Sequence, residues 1–246
     1  MADLAIVTSG ERHDLDDEAE AAFRQTWPEF IFHDPVSNQY TGRVETYFPY
    51  YNIMLLDDGA VVAGGWGVPL SWDGTVAALP AGGYDGALVA AVTRHEEGIV
   101  PDTLCIMAAA VRRDRQGGGL AGRTLTALRE RATSAGLQRV IAPVRPALKI
   151  RYPLTPMERF AAWDRGDGLH LDPWIRTHQR LGATILGPAP DSMIIKGTVT
   201  EWEKWTGMAF PETGRYVVPE ALDLVEIDCE QDLGTYTEPN LWMRHL

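Results

Sequence analysis

The order of apolar and polar positions in the first hundred residues predicts helices and strands in turn. Residues 4–8, LAIVT, are an apolar run of strand length, and apolar residues then recur at helical spacing over 15–23. Asp34 followed by Pro35 is a start signal for a second helix. The segments NIMLL and AVVAGGWGV flank the turn DDG and predict a pair of strands, and DGALVAAVTRHEEG predicts a third helix.

The pattern continues through the middle of the chain. DTLCIMAAAV (102–111) is apolar on both faces, which is typical of a strand in a sheet covered on both sides. After a glycine-rich turn, apolar spacing over 121–132 predicts a helix, and RVIAPV (139–144) predicts the next strand. Asp172 before Pro173 predicts the start of another helix. Further elements are predicted near the C-terminus: separate strands at ATIL and SMIIKGTV, a capping box formed by Thr200 and Glu203, and two more strands in the last forty residues.

Composition narrows the class of protein. The 246 residues are 45% hydrophobic, as in an ordinary globular chain, and no apolar run is long enough to span a membrane. The net charge of −12 argues against nucleic acid or an anionic membrane as a partner. The acidic N-terminal stretch lacks the features of a signal peptide. Two cysteines cannot form a disulfide framework, so a reducing cytoplasm is expected.

The glycine-rich segment QGGGLAGRT, 116–124, fits three phosphate-binding motifs. It can be read as a nucleotide P-loop with Arg123 in place of lysine, as the dinucleotide fingerprint G-x-G-x-x-G, or as the pyrophosphate loop Q/R-x-x-G-x-G/A of CoA-dependent acyltransferases. Each places an anion at the N-terminus of a helix. A glycine turn that only packs the helix against the strand is the structural alternative.

Context disfavours two of the three motifs. Arginine does not replace the P-loop lysine on the phosphates, and RVIAPV ends in no acidic residue that could hold Mg²⁺. A dinucleotide site needs an acid about 20 residues further on, and residues 137–144 contain none. The acyltransferase loop remains.

Three segments together resemble the GNAT superfamily, the Gcn5-related N-acetyltransferases. AAAVRRDRQGGGLAG is similar to the family's strand and glycine loop, THQRLGATIL to its late helix and strand, and NIMLLDDGAVVAGGWGV to its second and third strands. The resemblance covers roughly residues 4–197. It implies an α/β fold with a mixed, mostly antiparallel central sheet flanked by helices and splayed at the strand before the glycine loop. It also implies a GNAT-like domain over 1–197, leaving 198–246 as a C-terminal extension packed on the same domain.

The resemblance assigns roles to residues as well. Acetyl-CoA or another acyl-CoA would bind the strand edge and the loop, whose residues are Ala109, Ala110, Val111, Gln116, Gly117, Gly118, Gly119, Leu120, Ala121 and Gly122. The family's usual acid is a tyrosine of the late helix, and the matching residue here is His178. A neutral histidine packed in the core is the structural alternative for that residue. The general base is not identifiable, although His33, Asp34 and Glu45 are available.

The implied function is CoA-dependent acyl transfer, and an N-acetyltransferase with a small-molecule amine acceptor is favoured. A non-catalytic acyl-CoA-binding module and other acyl-CoA chemistry such as decarboxylation are the alternatives. The basic residues Arg145, Lys149 and Arg151 follow a strand whose end faces the cleft in this fold, so Arg145 and Arg151 are expected to bind an anion, either a carboxylate of the acceptor or the 3′-phosphate of CoA. A solvated basic segment is the structural alternative. No metal is expected, and the sequence leaves the oligomeric state open, a homodimer included.

Overall fold

A computed structural model gives the architecture and describes residues 4–245. Residues 1–3 and Leu246, which belong to the predicted domain ranges, lie outside the described residues. Seven α-helices occur in the described part of the chain: α1 (Asp16–Arg24), α2 (Pro35–Tyr47), α3 (Gly83–Glu96), α4 (Leu120–Ser134), α5 (Met157–Ala161), α6 (Pro173–Arg180) and α7 (Val199–Thr206). Nine strands occur in the same residues: β1 (Ala5–Thr8), β2 (Asn52–Asp57), β3 (Ala60–Leu70), β4 (Thr103–Val111), β5 (Arg139–Val144), β6 (Thr184–Gly197), β7 (Gly214–Tyr216), β8 (Val225–Asp228) and β9 (Leu233–His245).

The strands form one mixed sheet. Their order is β1-β2-β3-β4-β5-β9-β8-β7, and β6 lies along the other edge of β9. Among the described strands, β4 and β5 are the one parallel pair, and every other pairing is antiparallel. The predicted fold class, a mostly antiparallel sheet flanked by helices, is confirmed.

Strands β4 and β5 separate along their length. They pair only from Thr103 to Cys105 on β4, and the register between β3 and β4 shifts at Trp66. A bulge of this kind bends a strand and increases its twist. The second half of β4 therefore stays bonded to β3 on one side and leaves its other edge without a neighbouring strand, as the resemblance predicts.

Two consecutive glycines of β3 bring helices close to the sheet. A Cβ atom at Gly64 would lie 2.7 Å from the ring of Phe23 in α1, and one at Gly65 would lie 2.8 Å from Thr124 in α4. Successive residues of a strand face opposite sides, so α1 and α4 cover opposite faces of the sheet. The interior of β4, including Cys105, is fully buried between these layers.

Strand β9, near the C-terminus, lies inside the sheet and pairs with three other strands. Residues 241–245 of β9 pair with β5, residues 233–236 pair with β8, and β6 pairs with β9 over most of its length. The prediction of two strands after residue 206 is wrong, since three are present. The prediction of separate strands at ATIL and SMIIKGTV is also wrong. They are the ends of β6, which continues through an irregular stretch between Ala189 and Met193.

Local capping signals were predicted well at two helices and misplaced at a third. Asp34 accepts a hydrogen bond from the Ser37 amide at the start of α2, and Asp172 accepts from two amides at the start of α6. The capping box of α7 is formed by Thr198 and Glu201, two residues earlier than predicted.

Candidate active site

The glycine-rich segment forms an open turn between β4 and α4. Gly117 and Gly119 have φ angles of 82° and 78°, a left-handed backbone that favours glycine. The Nε2 atom of Gln116 donates a hydrogen bond of 3.4 Å to the carbonyl oxygen of Val111, which ties the turn to the end of β4. The turn thus needs glycine at two of the positions that the sequence assigns to the CoA loop.

The space around the turn distinguishes a ligand cradle from a packing turn. A Cβ atom added at Gly117, Gly119 or Gly122 would meet no other heavy atom within 4 Å. At Gly65, where helix α4 does pack closely on a strand, the same atom would lie 2.8 Å from the side chain of Thr124. The loop glycines are therefore not explained by close packing of the helix.

Helix α4 presents free amide groups to that space. It begins at Leu120, and Gly119 before it provides no side-chain cap. The N–H groups in the first turn of a helix have no partners within the helix, and the positive end of the helix dipole lies there. These features suit an anion such as a pyrophosphate.

A cavity of about 750 Å³ adjoins the separated strands. Residues 106–110 of β4 border it on one side, and residues 142–145 at the end of β5 border it on the other. Ala108, Ala109 and Ala110 are half-buried, and their methyl side chains leave the strand edge accessible. A volume within the range of roughly 300–1,000 Å³ is typical of small-molecule sites.

Carboxylates from α1 and α2 border the same cavity. Asp16 and Glu20 lie one helical turn apart on α1, and Glu45 belongs to α2. Partial burial, followed by the charges of Asp16 and Glu20, raises the pKa of Glu45. Arg24 lies 3.9 Å from Glu20 but is closer, at 3.1 Å, to Glu29. This side of the cavity is negatively charged, which suits a cationic ligand.

His178 borders the cavity, although only 1% of the residue is exposed. Its Nδ1 atom lies 2.8 Å from Nε2 of His245, and Trp174 packs edge-on against its ring. The Nε2 atom of His178 is buried and has no hydrogen-bond partner among residues 4–245. Burial, and then the neighbouring His245, lowers the pKa of His178 well below its ordinary value, so the ring is neutral at pH 7.

The basic residues after β5 do not form one cluster. Arg145 borders the cavity, and its Nε atom donates to Glu238 at 2.9 Å. Lys149 is buried and donates to the carbonyl oxygen of Tyr152 at 3.0 Å. Arg151 is exposed and does not border the cavity. Only Arg145 of the two predicted substrate-binding residues is thus near the cavity, and its charge is already balanced by Glu238.

Strand β9 contributes polar residues to the site. The sequence did not predict any of these residues as part of it. Glu238 accepts hydrogen bonds from Arg145, from the hydroxyl of Tyr236 and from the amide of Asn240, so both its oxygens are engaged. No local signal marks these residues, because their partners come from distant parts of the chain. Asp16 and Glu20 carried a signal, since their i, i+4 spacing puts both carboxylates on one face of α1.

Other reactive residues are held in structural contacts. Cys105 is fully buried, and burial raises the pKa of its thiol, as expected for an inert core cysteine. The ring of His170 is engaged by the Phe160 carbonyl and the Asp172 amide, at 2.9 and 2.8 Å. His33 stacks on Trp205 and does not border the cavity.

In residues 4–245 no helix is long and apolar enough to cross a membrane.

Comparisons with known proteins agree with this geometry. No protein-family model matches the chain. An arginine N-acetyltransferase of Aspergillus versicolor is 28% identical over 256 aligned residues, covering 93% of this chain and 88% of that protein. The loading GNATL domain of CurA from Lyngbya majuscula has a TM-score of 0.58 at 16% identity, covering 100% of this chain and 97% of that domain. The GNAT-like decarboxylase GphF, solved with isobutyryl-CoA, has a TM-score of 0.57 at 16% identity, covering 99% and 98% of the two chains. The chain is thus similar to an N-acetyltransferase over most of its length and has the fold of the GNAT-like structures.

The chain has a GNAT-like fold but differs at one position of the site from the pattern to which its sequence is similar. The strand separation after Cys105 and the open glycine turn lie where the resemblance placed them. On α6, His178 stands where the family usually has a tyrosine, and its ring is bonded to a second histidine from the last strand. The acid of the reaction therefore needs a different account here.

Proposed function

We propose that this protein is a CoA-dependent N-acetyltransferase whose acceptor is a small cationic amine related to arginine. The observation that carries the proposal is the cavity itself, which joins the free edge of β4 to the carboxylates of α1 and α2. One end suits an acyl-CoA and the other suits a cation, so the two substrates of an acetyl transfer can meet inside it.

The acyl-CoA would bind along β4 and at the turn before α4. The unpaired edge at Ala109 and Ala110 offers backbone groups to pantetheine, and the free amides at the start of α4 donate hydrogen bonds to the pyrophosphate. The open space at Gly117 and Gly119 leaves room for the phosphates to approach the backbone. The thioester then lies in the cavity beside residues 106–110.

The acceptor would bind against Asp16, Glu20 and Glu45. A guanidinium or ammonium group near these carboxylates offsets their mutual repulsion and forms charge-assisted hydrogen bonds. The relative in Aspergillus versicolor is named for arginine, which carries such a group at a distance from its reactive amine. Arg145, fixed by Glu238, contributes to the wall of the same cavity.

The chemistry needs only direct attack. A neutral amine of the acceptor attacks the thioester carbonyl carbon, the C–S bond breaks with its electron pair on sulfur, and the proton released from the acceptor nitrogen passes to water. Hydrogen-bond donors along the cavity wall stabilise the charge that develops on the carbonyl oxygen. Binding of both substrates in one cavity supplies the proximity that this reaction requires.

The test is thiol release from acetyl-CoA with a panel of amines. Arginine and agmatine are expected to react with a lower KM than neutral amines of the same length, and the product should gain one acetyl group by mass. E45Q should raise the KM for arginine about tenfold or more, the loss of one charge-assisted hydrogen bond, while kcat changes little.

Glu97 provides the matched control. It is exposed at the end of α3 and does not border the cavity, so E97Q should leave the KM unchanged. Absence of thiol release with every amine would favour a non-catalytic acyl-CoA-binding module. Loss of carbon dioxide from malonyl- or methylmalonyl-CoA, without an acylated amine, would favour decarboxylation.

A further inference from the structure

Arg145 comes directly after β5, at the wall of the cavity. Its Nε atom donates to both oxygens of Glu238, at 3.0 and 2.9 Å, and its Nη2 atom donates to the carbonyl oxygen of Glu220 at 2.6 Å. Nη1 donates to no residue among 4–245, and it is not one of the partnerless polar atoms that are buried. The guanidinium carbon lies 5.9 Å from the ring centre of Trp27, another residue of the cavity wall. Nη1 is therefore available to a molecule bound in the cavity.

The contact with Glu238 holds this guanidinium in place. Glu238 is buried, also borders the cavity, and accepts further hydrogen bonds from Tyr236 and Asn240. Arginine presents its donors in a rigid planar fork, so fixing Nε and Nη2 also fixes the direction of Nη1. The N–H groups of Nη1 are best matched by the oxygens of a carboxylate or a phosphate.

The cavity thus presents opposite charges at different parts of its wall. The carboxylates of α1 and α2 make one part negative, whereas Arg145 offers the donors of a cation after β5. Arg24, the other arginine of the wall in the described residues, is paired with Glu29 at 3.1 Å. A ligand that matches both parts carries a cation at one end and an anion at the other.

We propose that Nη1 of Arg145 binds the α-carboxylate of an amino acid acceptor that has a cationic side chain, and that the acceptor is acetylated on its α-nitrogen. This inference rests on the proposed function for the acetyl transfer and for the cationic end of the acceptor. It adds the anionic end and the nitrogen that reacts. Arginine should therefore have a lower KM than agmatine, which lacks the carboxylate.

The carboxylate contact decides which nitrogen reaches the thioester. In an α-amino acid the carboxylate and the α-nitrogen are attached to the same carbon. Residues 142–145 at the end of β5 border the cavity across the strand separation from residues 106–110, beside which the thioester would lie. The neutral α-nitrogen then bonds to the carbonyl carbon, the C–S bond breaks with its electron pair on sulfur, and the proton of the nitrogen passes to water. The guanidinium of the acceptor stays protonated and serves only in binding.

Binding of two unreactive analogues tests the carboxylate contact directly. 5-Guanidinopentanoate keeps the guanidinium and the carboxylate of arginine but has no α-amine, and 5-guanidinopentanamide has a neutral amide in place of the carboxylate. With CoA present, calorimetry on the wild type should give a Kd for the acid about tenfold or more below that for the amide, as expected for one charge-assisted hydrogen bond. In R145K the ammonium group pairs with Glu238 and no donor replaces Nη1, so this ratio should fall to about threefold or less.

Arg151 provides the matched control. It is exposed and does not border the cavity, so R151K should keep the wild-type ratio. The KM for acetyl-CoA should change little in R145K. A large rise in that KM with an unchanged ratio for the analogues would assign Nη1 to a phosphate of CoA and overturn the inference. Melting temperatures show whether R145K folds, and if it does not, the comparison of acid and amide in the wild type decides.

Product analysis tests the position of the acetyl group. With arginine as acceptor, fragmentation in a mass spectrometer should locate the acetyl group on the α-nitrogen. Equal Kd values for acid and amide in the wild type, the same ratio in the wild type and folded R145K, or an acetyl group on the guanidinium would overturn the inference. If the wild type acetylates no amine but still binds the acid more tightly than the amide, the proposed function fails and the carboxylate contact of Arg145 stands.

Discussion

Gly119 has the left-handed backbone from which α4 begins, and no protein atom occupies the space where its side chain would be. G119A should therefore cost about 1–2 kcal/mol of backbone strain and also place a methyl group where a phosphate approaches. CoA at 100 times its Kd should stabilise the wild type by about 2.7 kcal/mol. We expect this stabilisation to fall in G119A, measured as the rise in melting temperature on adding CoA.

Gly59 is the matched control for Gly119. It has a φ angle of 83° in the turn between β2 and β3, with equally empty surroundings, and it lies outside the glycine loop. G59A should lose comparable stability yet keep the full response to CoA. An unchanged CoA response in G119A would contradict the assignment of the loop.

The sequence predicts the position of some site residues, but it does not predict which distant residues they contact. The inward position of His178 follows from the spacing of Trp174 and His178 on α6, and their rings do pack together. The contact with His245 spans 67 residues and depends on β9 lying beside β5, which no local pattern specifies. The same holds for Arg145, whose partner Glu238 also belongs to β9.

At the level of elements, two glycines with opposite surroundings give a second test. A Cβ at Gly65 of β3 would meet backbone of β4 at 2.6 Å and Thr124 of α4 at 2.8 Å, so G65A must push these elements apart. It should destabilise the fold by roughly 1–3 kcal/mol. Gly42, inside α2, has no atom within 4 Å of the same position, and G42A should stabilise by about 0.5–1 kcal/mol. Denaturant unfolding of both variants measures this, and a neutral G65A would contradict the close packing of α4 on β3.

Element boundaries were predictable where the local signal was unique. Asp34 and Asp172 each stand alone before a proline, and both cap their helices. Before α7, Thr198 and Thr200 are each followed three residues later by a glutamate, so the sequence offered two capping boxes. The structure uses Thr198 because β6 ends at Gly197. The segment between ATIL and SMIIKGTV contains glycine and prolines, which predict a break between two strands. Strand β6 nevertheless continues through this segment, because it pairs with β9 on both sides of it.

At the scale of the whole molecule, two carboxyl groups from separate helices interact. Asp34 caps α2 and Asp85 lies in the first turn of α3, and the two carboxyl groups interact electrostatically. Burial, followed by the charge of Asp34, raises the pKa of Asp85 to about 8. The Oδ1 atom of each group is buried and has no hydrogen-bond partner in the described residues, so we expect the two carboxyl groups to share a proton at neutral pH.

This pair predicts how stability depends on pH. Asp85 loses its proton near pH 4 when unfolded but near pH 8 when folded, so between these values the folded state holds the extra proton and stability falls as pH rises. Buried histidines act in the opposite sense, but only below about pH 6.5. The buried thiol of Cys105, whose pKa is also raised, adds to the decline towards pH 9, so comparison with a variant of Asp85 is needed to isolate the carboxyl pair. The melting temperature of the wild type should fall across that range.

The variant D85N isolates the contribution of the pair. An asparagine amide can donate to Asp34 as the protonated carboxyl does but cannot ionise, so the decline in melting temperature between pH 7 and 9 should become clearly shallower, with only the part due to Cys105 remaining. D73N is the control, because Asp73 is exposed and hydrogen bonds from Thr75 lower its pKa, leaving it ionised throughout the range. It should shift the melting temperature equally at both pH values. Equal slopes for the wild type and D85N would show that Asp34 and Asp85 do not share a proton, and would leave α2 and α3 joined by packing alone.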